Sequence, residues 1–172
     1  GFYSNKKDKE KYGIEKSPLE NIGCIKNIAK NFSNNIDDKN IKNLLFVGNT
    51  GLGKTFLANC IAKEVLKQGK TVVYQTAPVL MDKVIEYKFS YDKTGEQKEQ
   101  YNKIFDVDLL IIDDLGTECL NSMKLSELFT ILNTRLLNLN NKVTKTIIST
   151  NLNINNIFKS YEERIGSRIA GF

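Results

Sequence analysis

The chain has 172 residues, 41% of them hydrophobic and 26% charged, with 25 basic against 20 acidic side chains, a net charge of +5 and no histidine. That balance fits one globular domain, and no apolar run approaches the roughly 20 residues that a membrane helix needs. The missing histidine excludes any Ser-His or Cys-His pair, and three scattered cysteines (Cys24, Cys60, Cys119) without a CxxC argue against a disulfide framework or zinc site and for a reducing, cytoplasmic setting.

Residues 1–16 are polar and lysine-rich and read as an exposed arm with no apolar core of a signal peptide. Ser17 as N-cap, Pro18 and Glu20 then open a helix with Ile22, Ile25, Ala29 and Phe32 along one stripe. Residues 33–40 form a turn-rich break. A strand follows at 42–47 and a helix at 54–68, ended by Gly69, with Leu57, Ala58, Ile61 and Val65 as its inner face. Next come a strand at 70–75, a helix from Pro78 to Phe89, another over 94–105 and a strand at 108–113. Asn121 or Ser122 caps a long helix with Leu125, Leu128, Phe129, Leu132 and Leu136 at helical spacing; a strand at 143–150 and a helix at 161–170 complete the chain. Continuous apolar strands between amphipathic helices predict an α/β fold, with a mainly parallel sheet covered on both faces.

Four motifs carry chemistry. Gly48-Asn49-Thr50-Gly51-Leu52-Gly53-Lys54-Thr55 matches GxxxxGK[ST] between a strand and a helix. Its glycines let backbone N–H groups curl around phosphates at the helix mouth, Lys54 neutralises the β- and γ-phosphates, and the Thr55 hydroxyl suits Mg²⁺. Phe56 completes the set of expected ATP contacts. The apolar strand 109–112 ends in Asp113, expected to hold Mg²⁺ through water, and Asp114, expected to orient an attacking water. Asn151, after Ser149 and Thr150, places a polar group where it can face the γ-phosphate. Finally, two of only three arginines, Arg164 and Arg168, fall within 163–168. Their planar fork suits phosphate, so Arg168 or Arg164 is expected to reach ATP on a neighbouring subunit, which implies a homo-oligomer. The alternative for that stretch is a surface helix end with an internal Glu–Arg pair.

GNTGLGKT, LLIIDDLGTE, IISTN and ERIGSRI in this order resemble the AAA+ ATPase core. More narrowly, with the leading SPLEN, residues 17–172 resemble the DnaC/DnaI family of replicative helicase loaders and their IstB-like relatives. The resemblance implies a three-layer αβα P-loop NTPase fold, ATP and Mg²⁺, and partnership with a replicative helicase and single-stranded DNA. It implies DNA contacts in a helical insertion at 79–89, where Lys83, Tyr87, Lys88 and Phe89 mix charge with aromatic faces; the rival view makes Tyr87 and Phe89 core residues. It also leads one to expect a helicase-binding domain before residue 17 and a fifth strand after Phe172, neither present in this sequence. Many AAA+ proteins carry Glu where this chain has Asp114, which implies slow hydrolysis. Competing readings are an IstB-like transposition helper ATPase, a small-molecule kinase of the P-loop type and a non-hydrolysing DNA-binding module.

Overall fold

The computed structural model describes residues 18–91, 94–137 and 142–172, so the expected arm at 1–16 and the Ser17 cap lie outside the described residues. In chain order the elements are α1 (Pro18–Asn34), β1 (Leu44–Val47), α2 (Lys54–Lys67), β2 (Val72–Thr76), α3 (Ala77–Phe89), α4 (Gly95–Asp106), β3 (Leu109–Leu115), α5 (Ser122–Leu136), β4 (Lys145–Thr150), α6 (Ile154–Ser160) and α7 (Glu162–Ala170). The four strands form one sheet in the order β1-β4-β3-β2, and every pairing is parallel. All strands therefore end at the same edge, and the loops that follow them are brought together there.

Side-chain alternation along the central strand β3 divides the core in two. Leu109 and Ile111 face α1 and α2, packing with Phe32, Ala58, Ile61 and Val65. Leu110 and Ile112 face the other way, into a larger cluster with Leu80, Val84, Leu128, Ile131, Ile157 and Ile165 from α3, α5, α6 and α7. Each fully buried aliphatic side chain contributes about 1.5–3 kcal/mol. The expected three layers, helices on both faces of a parallel sheet, are what the chain forms.

Local chemistry sets the element ends. Thr94 and Gln97 make a reciprocal capping box at α4, and the Asn121 side chain accepts the Lys124 N–H at 2.8 Å to start α5. Two expectations need correction. The final helix at 161–170 is preceded by a separate helix, α6, capped by Asn153, and the break falls where Glu162 takes a left-handed φ of 62°. The α1 stripe is only half used: Ala29 and Phe32 are buried, whereas Ile22 and Ile25 are exposed because the first half of the helix does not pack on the core.

Buried polar groups fasten the opposite edge of the sheet. Arg135 on α5 is 2% exposed, and its guanidinium donates to Thr146 Oγ1 (3.0 Å) and to the carbonyls of Ile104 (2.9 Å), Val107 (3.1 Å) and Lys145 (2.7 Å). Burial pulls its pKa down to about 9, so it stays charged at neutral pH. Asp108 accepts the Thr71 N–H (2.8 Å) and hydroxyl (2.7 Å) and pairs with Lys142 (2.9 Å). Burial alone would raise its pKa, but these donors outweigh it and bring it to about 2. A carboxyl depressed in the folded state stabilises above its unfolded pKa and stops doing so as pH falls through the folded one. The expected contribution, about 2 kcal/mol, is complete above about pH 5 and fades toward about pH 2. Thermal melts of parent and Asp108→Asn should therefore differ at neutral pH and converge in acid; a gap that stays constant over that range would refute it.

Candidate nucleotide-binding site

The phosphate loop lies between β1 and α2 and is anchored by the Gly48 N–H, which donates to the Thr150 carbonyl of β4 (3.2 Å). Gly53, the N-cap of α2, has φ 84°, a left-handed conformation open to glycine at little cost. No side chain caps α2, so its first N–H groups are available to an anion, with the helix dipole behind them. Asn49, Thr50, Gly51, Leu52 and Gly53 are all exposed along this loop. Phe56, on the first turn of α2, is 74% exposed.

Lys54 reaches back across the loop. Its ammonium donates to the Gly48 carbonyl (2.7 Å), the Asn49 carbonyl (2.9 Å) and Asn151 Oδ1 (2.7 Å). The first and third motifs, 97 residues apart, thus share a hydrogen bond. Thr55 makes the second long-range link, its hydroxyl donating to Asp113 Oδ2 at 3.0 Å.

The sheet explains why these groups meet. Tyr74 and Ile147 both pair with Ile111, and Tyr74, Ile111 and Ile147 all point to the α2 side. Asp113 and Ser149, each two residues farther along, return to that side at the strand tips, beside Thr55. Ser149 Oγ donates to Asp113 Oδ1, and Tyr74 donates its hydroxyl to Asp113 Oδ2. Burial works to raise the Asp113 pKa, but the hydroxyls of Ser149, Tyr74 and Thr55 more than offset it and leave a net lowering. Burial, together with Asp113, drives the Tyr74 phenol upward, so it remains a donor. No local motif marks Tyr74 as a partner of the site; the signal for it is the parity of its position in β2 relative to Asp113.

Asp114 departs from strand geometry. It has φ 56° at a register irregularity between Ile112 and Leu115; its N–H donates to Ser149 Oγ (3.0 Å), and its carbonyl accepts the Thr117 hydroxyl (2.8 Å). The two neighbouring carboxylates are therefore not held by simple strand alternation.

The arginines lie elsewhere. Arg164 sits 5.0 Å and Arg168 5.7 Å from the Phe129 ring centroid. Arg164 donates to Glu162 (3.1 Å) and Arg168 to Asn133 on α5 (3.0 Å), rather than to the phosphate loop. Asn133 lies 11 residues beyond the first residue of α5, roughly 16 Å along a helix that starts from the loop after β3.

The helical insertion comprises α3 and α4, which border a cavity of about 350 Å³ lined in part by Lys83, Tyr87 and Tyr101. Tyr87 is partly buried and stacks on Tyr101 (4.3 Å, 18°), while Lys88 pairs with Glu127 (3.3 Å) and lies over the same ring. Lys83 is exposed, and Phe89 is 58% exposed. Phe89 is therefore not a core residue, whereas Tyr87 is held within an aromatic pair.

No helix among the described residues is long and apolar enough to cross a membrane. Comparison with known proteins matches residues 22–164 to the family of IstB-like ATP binding proteins. A segment of 82 residues is 37% identical to the replicative helicase loader DnaC of Escherichia coli (strain K12), covering 47% of this chain and 32% of DnaC. The chain thus spans about a third of the length of the curated relatives it matches. The fold is similar to the crystal structure of DnaI (TM-score 0.70, 25% identity, 86% of this chain and 79% of that one). It is equally similar to replication initiator DnaA bound to AMPPCP and single-stranded DNA (TM-score 0.70, 25% identity, 84% and 42%). With the match running over most of its length and the P-loop architecture in place, the chain belongs to the IstB-like ATP binding protein family of AAA+ proteins.

Proposed function

We propose that this chain is the ATP-hydrolysing core of a cytoplasmic DNA-replication protein that delivers the replicative helicase to single-stranded DNA. The observation that carries the ATPase reading is the Thr55–Asp113 hydrogen bond of 3.0 Å, which joins the phosphate loop to the acidic strand tip. A hydroxyl and a carboxylate are hard oxygen donors and fit Mg²⁺, with the rest of its shell supplied by water and phosphate oxygens. When bound, the metal ion neutralises charge on the phosphates. Thr55 would hold it directly and Asp113 through water.

The chain's own groups do the remaining work. The N–H groups of 48–53 and the mouth of α2 bind the phosphates, Lys54 neutralises them, and Phe56 offers an apolar ring beside the nucleotide. Asp114 orients the attacking water and accepts its proton, and Asn151, already bonded to Lys54, positions that water on the γ-phosphate side. Arg164 and Arg168 bond away from their own phosphate loop, which supports their acting on a neighbouring subunit in a homo-oligomer. Lys83, Lys88 and Phe89 are the exposed members of the DNA surface, while Tyr87, half-buried and stacked on Tyr101, forms its aromatic backing.

Likeness to DnaC and DnaI supports the helicase as partner. The family match itself favours a second reading, a transposition helper ATPase. The test is ATP turnover with and without single-stranded DNA, together with co-purification against the replicative helicase and, separately, a transposase. Turnover should be slow, respond to DNA, and fall about 100-fold in Asp114→Asn with ATP affinity nearly unchanged. Helicase retention supports loading; transposase retention alone would transfer the assignment to the second reading, and DNA-independent turnover without either partner would overturn both.

A further inference from the structure

The loop after β3 and the start of α7 meet at a buried carboxylate. Glu118, 9% exposed, accepts the Gly116 N–H at Oε2 (2.9 Å) and the Tyr161 hydroxyl at Oε1. Tyr161 is fully buried and is the single residue joining α6 to α7. Burial and the adjacent carboxylate push its phenol pKa up, so the hydroxyl remains a donor.

Backbone geometry marks both ends of this bridge. Among the described residues, the non-glycine positions with positive φ are Asp114 (56°) and Glu162 (62°). One lies at the end of β3, just before the loop that carries Glu118; the other directly follows Tyr161. Each conformation costs about 1–2 kcal/mol and persists only where its surroundings hold it. Between them in sequence Gly116 has φ 106°, and a Cβ there would lie 2.7 Å from Leu152 Cδ1, so the turn that presents its N–H to Glu118 suits glycine alone.

The contacts form a continuous path. Ser149 holds Asp113 Oδ1 and also accepts the Asp114 N–H; two residues on, Gly116 donates to Glu118, which holds Tyr161 at the head of the helix bearing Arg164 and Arg168. A fastener for the loop alone would need neither a phenol from another element nor strained residues at both ends.

We propose that Glu118, acting through Tyr161, is a positioning residue that couples the nucleotide site to the arginine-bearing helix α7. A rearrangement of Asp113 and Asp114 on nucleotide binding is passed to α7, and by linkage a contact that shifts α7 alters nucleotide affinity to the same degree. The inference rests on the ATP-binding reading.

Hydrogen exchange on the full chain, with and without ATP and Mg²⁺, tests it in the parent, Tyr161→Phe and Glu118→Gln. Tyr161→Phe keeps the ring and removes the donor; Glu118→Gln keeps an acceptor for one donor only. Nucleotide should slow exchange over 48–58 in all three proteins, with ATP affinity within about tenfold of the parent. In the parent it should also change exchange over 162–170 by about fivefold or more, and in the variants that second response should disappear. A response in α7 that survives both variants, or none in the parent despite protection at 48–58, overturns the coupling. No protection at 48–58 in the parent removes the ATP reading and the coupling with it. If both variants fail to fold, the bridge only holds the fold together, and the proposal falls.

Discussion

Lys54→Ala is expected to weaken ATP binding by about 100-fold, equivalent to about 3 kcal/mol, while the fold survives. The ammonium makes three hydrogen bonds of 2.7–2.9 Å, all to the phosphate loop or to Asn151, and none into either core cluster. Removing it deletes a side-chain cation tied into this loop by three hydrogen bonds, and a hydrogen bond to a charged phosphate ranks among the stronger contacts a protein makes. Of the two carbonyls that lose their donor, Asn49 is exposed and Gly48 only half-buried, so both can turn to water and the expected loss of stability is about 1 kcal/mol or less. Equilibrium titration with ATP, paired with thermal unfolding, separates the two effects. Equal affinity in mutant and parent would remove phosphate binding from this loop.

The second large effect concerns stability alone. Arg135→Leu preserves an apolar stem but strips the donors from three backbone carbonyls and the Thr146 hydroxyl, all in a region closed to solvent. Buried acceptors without partners cost about 1–3 kcal/mol each, partly relieved by local relaxation, so the expected destabilisation is about 4 kcal/mol. For a chain of this size that lowers the melting temperature by about 10 °C. Arg135→Lys should recover little, because a single ammonium cannot span acceptors contributed by α4, by the residue after it and by β4. A melting temperature within about 2 °C of the parent for Arg135→Leu would show that water replaces the guanidinium without penalty.

What could be read in advance depended on the range of the signal. The phosphate loop and acidic strand tip were legible because their chemistry is written in consecutive residues, and the apolar runs of β3 and β4 fixed their places in a covered sheet. Arg135 was not: it lies beside Leu136 within a helix whose leucines define the inward stripe, and one turn of helix later a long cation can reach inward as easily as outward. Helix α6 carries little signal in the sequence because Asn153, Asn155 and Asn156 have the character of turn residues, though Asn153 is a cap. Ile22 and Ile25 follow helical periodicity yet stay exposed, since periodicity identifies a face but not whether anything packs against it. Tyr74 and the Glu118–Tyr161 pair bridge 39 and 43 residues, and no local pattern announces a contact of that span.

The left-handed backbone at Asp114 restricts the vocabulary available to that position. Asp enters such a twist more readily than most residues, although at some cost, whereas β-branched side chains are strongly disfavoured there. Main-chain shape does not by itself exclude the glutamate common at this point in related ATPases, because Glu162 takes a φ of 62° in this same chain; what it changes is the direction in which a carboxylate leaves the strand. A carboxylate longer by one methylene would set out from that same turned main chain and swing through a different arc, so a gain in reach need not become a gain in rate.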